Sequence, residues 1–434
     1  MSTGSFLRRL FGSGAGPGDR AVQDLLSLCQ ALLAESGEYA SMAIARDALA
    51  AYRALDERAR EAFFDALVSR YSPAPDAVAR AAAAYQGNPT PEKLIELQAA
   101  VEPARQELFR RLNMAPGGTA ALVEMRKTLL KGLRAHPAWK AIDFDLMHLL
   151  RSWFNRGFLR MERIDWRTPA MVLEKLIDYE AVHAIRGWWD LRRRLEGDRR
   201  CFAFFHPQLP DEPIIFIEVA LTRGMSAQVQ PLLDKGSPVG SPLGADCAMF
   251  YSITNCQEGL RGISFGNLLI KQVAEELKRE FPHLRRFATL SPIPGFRRWL
   301  GAARLSTENR ALLARLEDPA WHLGEVPEAV QKLLSRLCAY YLLYAKQGPE
   351  PLDAVARFHL GNGAALERLN WMGDSSEQGM SRSAGLMVNY VYWLAELEKN
   401  HERYFREHFI AASPVIDKLA REAPLLPAVE QGAA

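Results

Sequence analysis

The chain has 434 residues, of which 48% are hydrophobic and 24% charged, with a net charge of +3. That is an ordinary globular balance over more chain than one hydrophobic core serves well, so two domains are expected. So small a net charge excludes a protein that wraps nucleic acid with a strongly basic face. The lack of any run of about 18 apolar residues excludes a helical membrane span.

The first segment, Phe6-Leu7-Arg8-Arg9-Leu10-Phe11, is too short for a secretory signal and reads as part of a loosely attached N-terminus. Helix after helix follows. Val22, Leu25, Leu26, Cys29, Leu32 and Leu33 recur at helical spacing, as do Phe63, Phe64, Leu67 and Tyr71. Thr90-Pro91-Glu92 predicts a helix start, with Leu94, Leu97 and Val101 as its apolar stripe. Gly117-Gly118-Thr119 breaks the chain and caps the next helix, striped by Leu122, Met125, Leu129, Leu130 and Leu133. Residues from about 18 to 155 therefore predict an all-helical domain.

The pattern changes after Gly157. Thr168-Pro169 opens one more helix, and Arg192-Arg193-Arg194 predicts a solvated helix face or an anion contact. Cys201–His206, Pro213–Thr222 and Ala248–Ile253 predict strands. A helix striped by Leu268, Leu269, Val273 and Leu277 leads to a further strand, Phe287–Leu290, so these last two strands are expected to be parallel. Helices are expected again over Asn309–Lys346 and Leu386–Phe409. The fold class is thus α+β in two domains, all-helical over 1–155 and mixed α/β over 156–434.

The five cysteines, Cys29, Cys201, Cys247, Cys256 and Cys338, form no C-x-x-C pair. They read as reduced, buried thiols of a cytoplasmic protein, not as a metal knot or disulfide framework. His401 and His408 could share a helix face, but no third ligand accompanies them, so no metal site is expected.

Three segments could carry chemistry. Gly259, Gly262 and Gly266 punctuate Gln257–Asn267 just before a helix, where exposed N–H groups could meet a pyrophosphate. Neither the G-x-G-x-x-G spacing nor a Walker loop is present, and a plain Gly-rich turn fits equally well. Ser291, in Thr289-Leu-Ser-Pro-Ile-Pro-Gly-Phe296, ends a predicted strand, where ligands of α/β sheets gather; it could equally cap a Pro turn. His359, in Arg357-Phe-His-Leu-Gly-Asn-Gly363, is a candidate proton carrier or a structural histidine. Asn362, Asn370 and Tyr392 are further candidates for hydrogen bonding in a pocket, and also fit turns or packing.

Together the segments Phe250–Ile253, Gln257-x-Gly-Leu-x-Gly262, Leu290–Phe296, Phe358–Leu360, Asn362–Ala364, Asn370–Met372 and Gly385–Met387 resemble malonyl-CoA decarboxylases. The resemblance implies a helical domain that assembles a homo-oligomer, a tetramer in the family, and a C-terminal domain of the GNAT acyl-CoA type. It implies malonyl-CoA as substrate, acetyl-CoA and CO2 as products, and no cofactor. It assigns catalysis to Ser291 and His359. It assigns malonyl-CoA binding to Arg261, Gly262, Ile263, Ser264, Phe265, Gly266 and Asn267 together with that pair. The chain ends without a peroxisomal Ser-Lys-Leu, which suits a bacterial cytoplasmic enzyme.

The chemistry expected is loss of CO2 to give a thioester enolate. Ser291 would hold the departing carboxylate or the thioester oxygen, and His359 would deliver a proton to the α-carbon. The rate should then fall as pH rises through the His359 pKa. Rivals are a GNAT acyltransferase, a Ser–His thioesterase, which would want an acidic partner for His359, and a CoA-binding protein without turnover. No G-x-S-x-G elbow supports the thioesterase.

Overall fold

A computed structural model describes residues 17–263 and 269–426 of the chain. Two compact units emerge. The first comprises Met1–Leu159 with His206–Pro210 and Gln257–Ser264; the second comprises Arg160–Phe205, Asp211–Cys256 and Phe265–Ala434.

Among the described residues the first unit holds eight α-helices: α1 Pro17–Ala34, α2 Glu38–Ala54, α3 Glu57–Arg70, α4 Pro75–Gly87, α5 Pro91–Val101, α6 Ala104–Asn113, α7 Gly118–Gly132 and α8 Lys140–Trp153. The expected stripes form its core: Leu25, Leu26 and Cys29 of α1, Phe63, Phe64 and Leu67 of α3, and Leu122, Met125 and Leu129 of α7 are all buried. Thr90 caps α5 as its sequence predicts, accepting from the Lys93 N–H. The α5 stripe does not reach that core: α4 and α5 bury no residue, and Leu94 and Val101 stay exposed. Within Gly117-Gly118-Thr119 the cap of α7 is Gly117, in the left-handed region, while the Thr119 hydroxyl donates to Asn113 Oδ1 at 2.7 Å.

The second unit holds a mixed sheet. Its strands are β1 Arg160–Ile164, β2 Arg199–His206, β3 Leu209–Thr222, β4 Cys247–Asn255, β5 Arg286–Thr289, β6 Ser291–Pro292, β9 Ala365–Asn370 and β10 Met387–Val391; Lys346–Gln347 (β7) and Glu350–Pro351 (β8) form a separate hairpin. The predicted parallel pair is present: β4 runs parallel to β5, with Phe250 opposite Thr289. Strands β1–β2, β3–β4 and the partners of β10 are antiparallel. Ala288 faces Val391, Ser291 faces Val388 and Pro292 faces Met387 in one register, so β5 and β6 are halves of a single line broken at Leu290. Two apolar clusters form on the sheet: Ala220, Met249, Tyr251, Ala288 and Val391 with Val229, and Cys201, Ala203 and Phe216 against Val172, Leu173 and Leu176 of the helix Ala170–Tyr179.

Several expectations are corrected. Leu386–Val391 is the strand β10, not the start of a helix, and the helix there runs only over Leu397–Glu407. A six-residue apolar run has no length to show its period; Gly385 at φ +75 and the β-branched Val388 and Val391 favour the strand. Asn309–Lys346 is divided between the helices Thr307–Ala314 and Glu328–Tyr344. The Arg cluster divides: Arg192 stays exposed, while Arg193 and Arg194 are buried, bonded to Asp198 at 2.8 Å and Glu218 at 2.5 Å. His401 bonds the Gly361 carbonyl, and His408 ends its helix in the left-handed region. All five cysteines are buried free thiols.

Candidate active site

The parallel pairing of β4 and β5 ends at Phe250 and Thr289. A cavity of about 240 Å³ opens beside the next residues of both strands, lined by Tyr251, Ser252, Ile253, Leu290, Ser291 and Pro292. The helix Ala354–Gly361 closes it with Ala354, Val355, Phe358 and His359. That helix buries Ala356, His359 and Leu360 on one stripe, which is why the sequence turns His359 inward. Asp353 starts the helix by accepting from the Val355 and Ala356 N–H groups at 3.0 Å, and Tyr341 donates to the same carboxylate at 3.2 Å.

Ser291 reaches the cavity through the break at Leu290. The Leu290 N–H turns to the Phe250 carbonyl of β4 at 2.9 Å. Thr289 meets β10 with its side chain and carbonyl: Tyr390 N–H donates to Thr289 Oγ1 at 3.1 Å, and Asn389 Nδ2 donates to the Thr289 carbonyl at 2.7 Å. The Ser291 hydroxyl then donates to Thr289 Oγ1 at 2.8 Å.

Ser291 Oγ lies 2.9 Å from His359 Nε2, and His359 Nδ1 lies 2.7 Å from the Tyr392 hydroxyl. A serine hydroxyl has one proton. With that proton on Thr289, the oxygen accepts from the Nε2–H, and Nδ1 accepts from Tyr392. Ser291 and His359 are each only 4% exposed. The Tyr390 ring stacks on the imidazole with centroids 4.6 Å apart. Residue type alone would give His359 a near-neutral pKa; this apolar, hydroxyl-lined setting does not. Burial pushes it down to about 3, so the imidazole is neutral at pH 7.

The malonyl-CoA decarboxylase C-terminal domain model matches residues 157–429, and the malonyl-CoA decarboxylase N-terminal domain model matches residues 71–154. The chain belongs to the malonyl-CoA decarboxylase family. It is 37% identical over 343 residues to the mitochondrial malonyl-CoA decarboxylase of Anser anser anser, covering 72% of this chain and 68% of that protein. Crystal structures of malonyl-CoA decarboxylases from Rhodopseudomonas palustris and Agrobacterium vitis are similar at 49% and 47% identity, with TM-scores of 0.89 and 0.86. Each covers 92% of this chain and 99% of its own.

The remaining candidates of the malonyl-CoA decarboxylase motif set divide sharply. Tyr392 joins the pair. Asn362 instead bonds the Phe358 carbonyl at 2.6 Å as its helix ends, and Asn370 donates to Asn389 Oδ1 at 2.9 Å between β9 and β10. Arg261, Gly262 and Ile263 lie at the end of the Gln257–Ser264 segment of the helical unit; Ser264, Phe265, Gly266 and Asn267 lie outside the described residues.

Two contributors were not singled out from sequence. Thr289 sits two residues before Ser291, a spacing that puts both on one strand face and could have pointed to it. Glu180 carries no such signal. Its carboxylate accepts from the N–H groups of Val182 and His183 at 2.6 and 2.8 Å and from the Ser252 hydroxyl at 2.7 Å, fixing two cavity-lining residues, Val182 beside it in sequence and Ser252 72 positions away.

Proposed function

We propose that Ser291 and His359 are the reacting pair with which this member of the malonyl-CoA decarboxylase family converts malonyl-CoA and a proton to acetyl-CoA and CO2. The observation that carries this is one cavity in which the two buried side chains meet at 2.9 Å, with no Lys or Arg among its described lining residues.

A malonyl carboxylate brought into such a cavity loses water and meets no Lys or Arg among the described lining residues. The α-carbon–carboxyl bond breaks as CO2 leaves, and its electron pair moves into the thioester as an enolate whose charge is spread onto the carbonyl oxygen. Water exclusion therefore weighs against the compact carboxylate more than against the delocalised enolate. As the anion arrives, the Ser291 hydroxyl turns its one proton from Thr289 Oγ1 to it and becomes its positioned donor. The neutral imidazole takes up a proton on Nδ1 alongside the incoming carboxylate, the Tyr392 hydroxyl turning to accept from it, and passes its Nε2 proton to the α-carbon once CO2 has left. Charge balances at each stage: an anion and a proton enter, and neutral fragments leave the carbon.

A thioesterase would use Ser291 as a nucleophile and an acid behind His359. Among the described residues the Nδ1 partner is the Tyr392 phenol, which favours the decarboxylase. The wider proposal includes the GNAT-type assignment of the sheet, the Arg261–Asn267 segment as the CoA loop, domains divided near 155, and a cytoplasmic homo-oligomer, a tetramer by family resemblance. What supports these is the motif set, and light scattering of the purified chain tests the last. The first experiment is acetyl-CoA and CO2 formation by the native protein and by His359→Ala. Loss in the variant is expected; release of free thiol instead would support the thioesterase.

A further inference from the structure

We infer that Asn389, on β10, is a positioning residue for Ser291: its carboxamide takes the place of a backbone rung at the break between β5 and β6, and so frees Thr289 Oγ1 to hold the serine. This rests on Ser291 and His359 being the reacting pair.

The ladder shows what is replaced. Tyr392 N–H donates to the Phe287 carbonyl at 2.8 Å. Hydrogen-bonded positions of an antiparallel pair recur at every second residue, so Tyr390 N–H is due at the Thr289 carbonyl. It goes to Thr289 Oγ1 instead, at 3.1 Å, and the carbonyl takes Asn389 Nδ2 at 2.7 Å. Asn389 is fully buried. Its Nδ2 also reaches the Ser226 carbonyl at 3.3 Å, and its Oδ1 accepts from Arg368 Nε at 3.0 Å and from Asn370 Nδ2 at 2.9 Å. A guanidinium only donates, so Arg368 fixes which end of the carboxamide is the oxygen. Asparagine is a poor strand residue and costly to bury, and four matched hydrogen bonds keep it there.

Thr289 Oγ1, anchored by the Tyr390 N–H, stands 2.8 Å from Ser291 Oγ and sets where that oxygen lies before an anion arrives. Without the amide donor the buried Thr289 carbonyl would be left unpaired, with the Tyr390 N–H as its natural partner. The ladder would then close. Oγ1 would lose its anchor, and Ser291 its position against His359. None of these four Asn389 hydrogen bonds involves Ser291 or His359. Asn389 therefore acts on turnover through Thr289 and leaves substrate binding alone.

The test is a double-mutant cycle in the full-length protein with malonyl-CoA. Asn389→Asp has the same shape and still accepts from Arg368 and Asn370, but loses both donors. It is expected to lower kcat about tenfold, the worth of one lost hydrogen bond, with KM within about twofold. In the Thr289→Val background the same change should cost less than about twofold, because the oxygen through which Asn389 acts is already gone. If Asn389→Asp does not fold, Asn389→Ala, which removes the same donors without adding a charge, carries the comparison. Losses that multiply in the double variant, a rise in KM with kcat kept, or native kcat overturns the inference. Ser291→Ala runs beside these variants. Near-native turnover there removes the reacting pair and the inference with it. Loss there with native turnover in the Asn389 variant dismisses Asn389 and leaves the pair standing.

Discussion

The Tyr392 phenol stands 2.7 Å from His359 Nδ1, the position where a Ser–His hydrolase needs a carboxylate. A phenol can orient an imidazole but lends little charge to an imidazolium. The partner thus keeps His359 neutral until an anion arrives. Tyr392→Phe keeps the ring and removes the hydrogen bond, so kcat should fall by about fivefold to tenfold, the worth of one neutral hydrogen bond. KM for malonyl-CoA should change by less than about twofold. Unchanged turnover would leave Tyr392 with a packing role only.

Ser291→Ala removes the donor offered to the anion and should cost about a hundredfold or more in kcat, with CoA binding by calorimetry retained. Thr289→Val keeps the shape beside Ser291 but deletes the oxygen that takes its proton. The serine must then donate to Nε2, which reverses the imidazole's protonated nitrogen. A reduced kcat, restored by Thr289→Ser, is expected in a steady-state assay; equal rates for the Val and Ser variants would dismiss Thr289.

The free protein's imidazole loses its proton near pH 3. A carboxylate at about 4 Å in an effective dielectric of about 20 stabilises the imidazolium by about 4 kcal/mol, or about three pKa units. Binding a non-reacting dicarboxylate analogue of malonyl-CoA should therefore take up a proton, seen as a buffer-dependent enthalpy, whereas acetyl-CoA should not. Because kcat/KM reports the free enzyme, it should decline steadily from about pH 5 to 8 without an inflection near 6.5. An inflection there would mean that His359 titrates as an ordinary histidine.

The same burial sets an acid limb of stability. His359 protonates near pH 6.5 in the unfolded chain but near 3 in the fold. Between those values the unfolded state holds more protons, so this contribution is complete above 6.5 and is lost toward pH 3, by about 1.4 kcal/mol per pH unit. His183 and His206, also lowered by burial, act in the same direction. Urea midpoints between pH 7 and 4.5 should fall less steeply for His359→Gln than for the native protein; parallel slopes would place His359 in water.

What the sequence determined by itself was local or carried by ordered motifs. Helical stripes such as Leu122, Met125 and Leu129 declare a buried face within a few turns, because burial repeats with the helix period. The apolar run Pro213–Thr222 and the alternation of strand, helix and strand announce the sheet and its parallel pair. The motif set names the family and both members of the candidate pair. Tertiary structure alone decided the rest. The short runs of β9 and β10 are strands because partners fill their edges, and no periodicity marks them in isolation. Asn362 and Tyr392 looked equivalent as polar residues in motifs, yet one bonds its own helix end and the other the imidazole. The His359 pKa is lowered by burial, against Ser291, Tyr390 and Tyr392 from far away in sequence. Periodicity reports which face of a segment avoids water. It does not report which distant side chain will stand against that face, and the chemistry of a buried site depends on that neighbour.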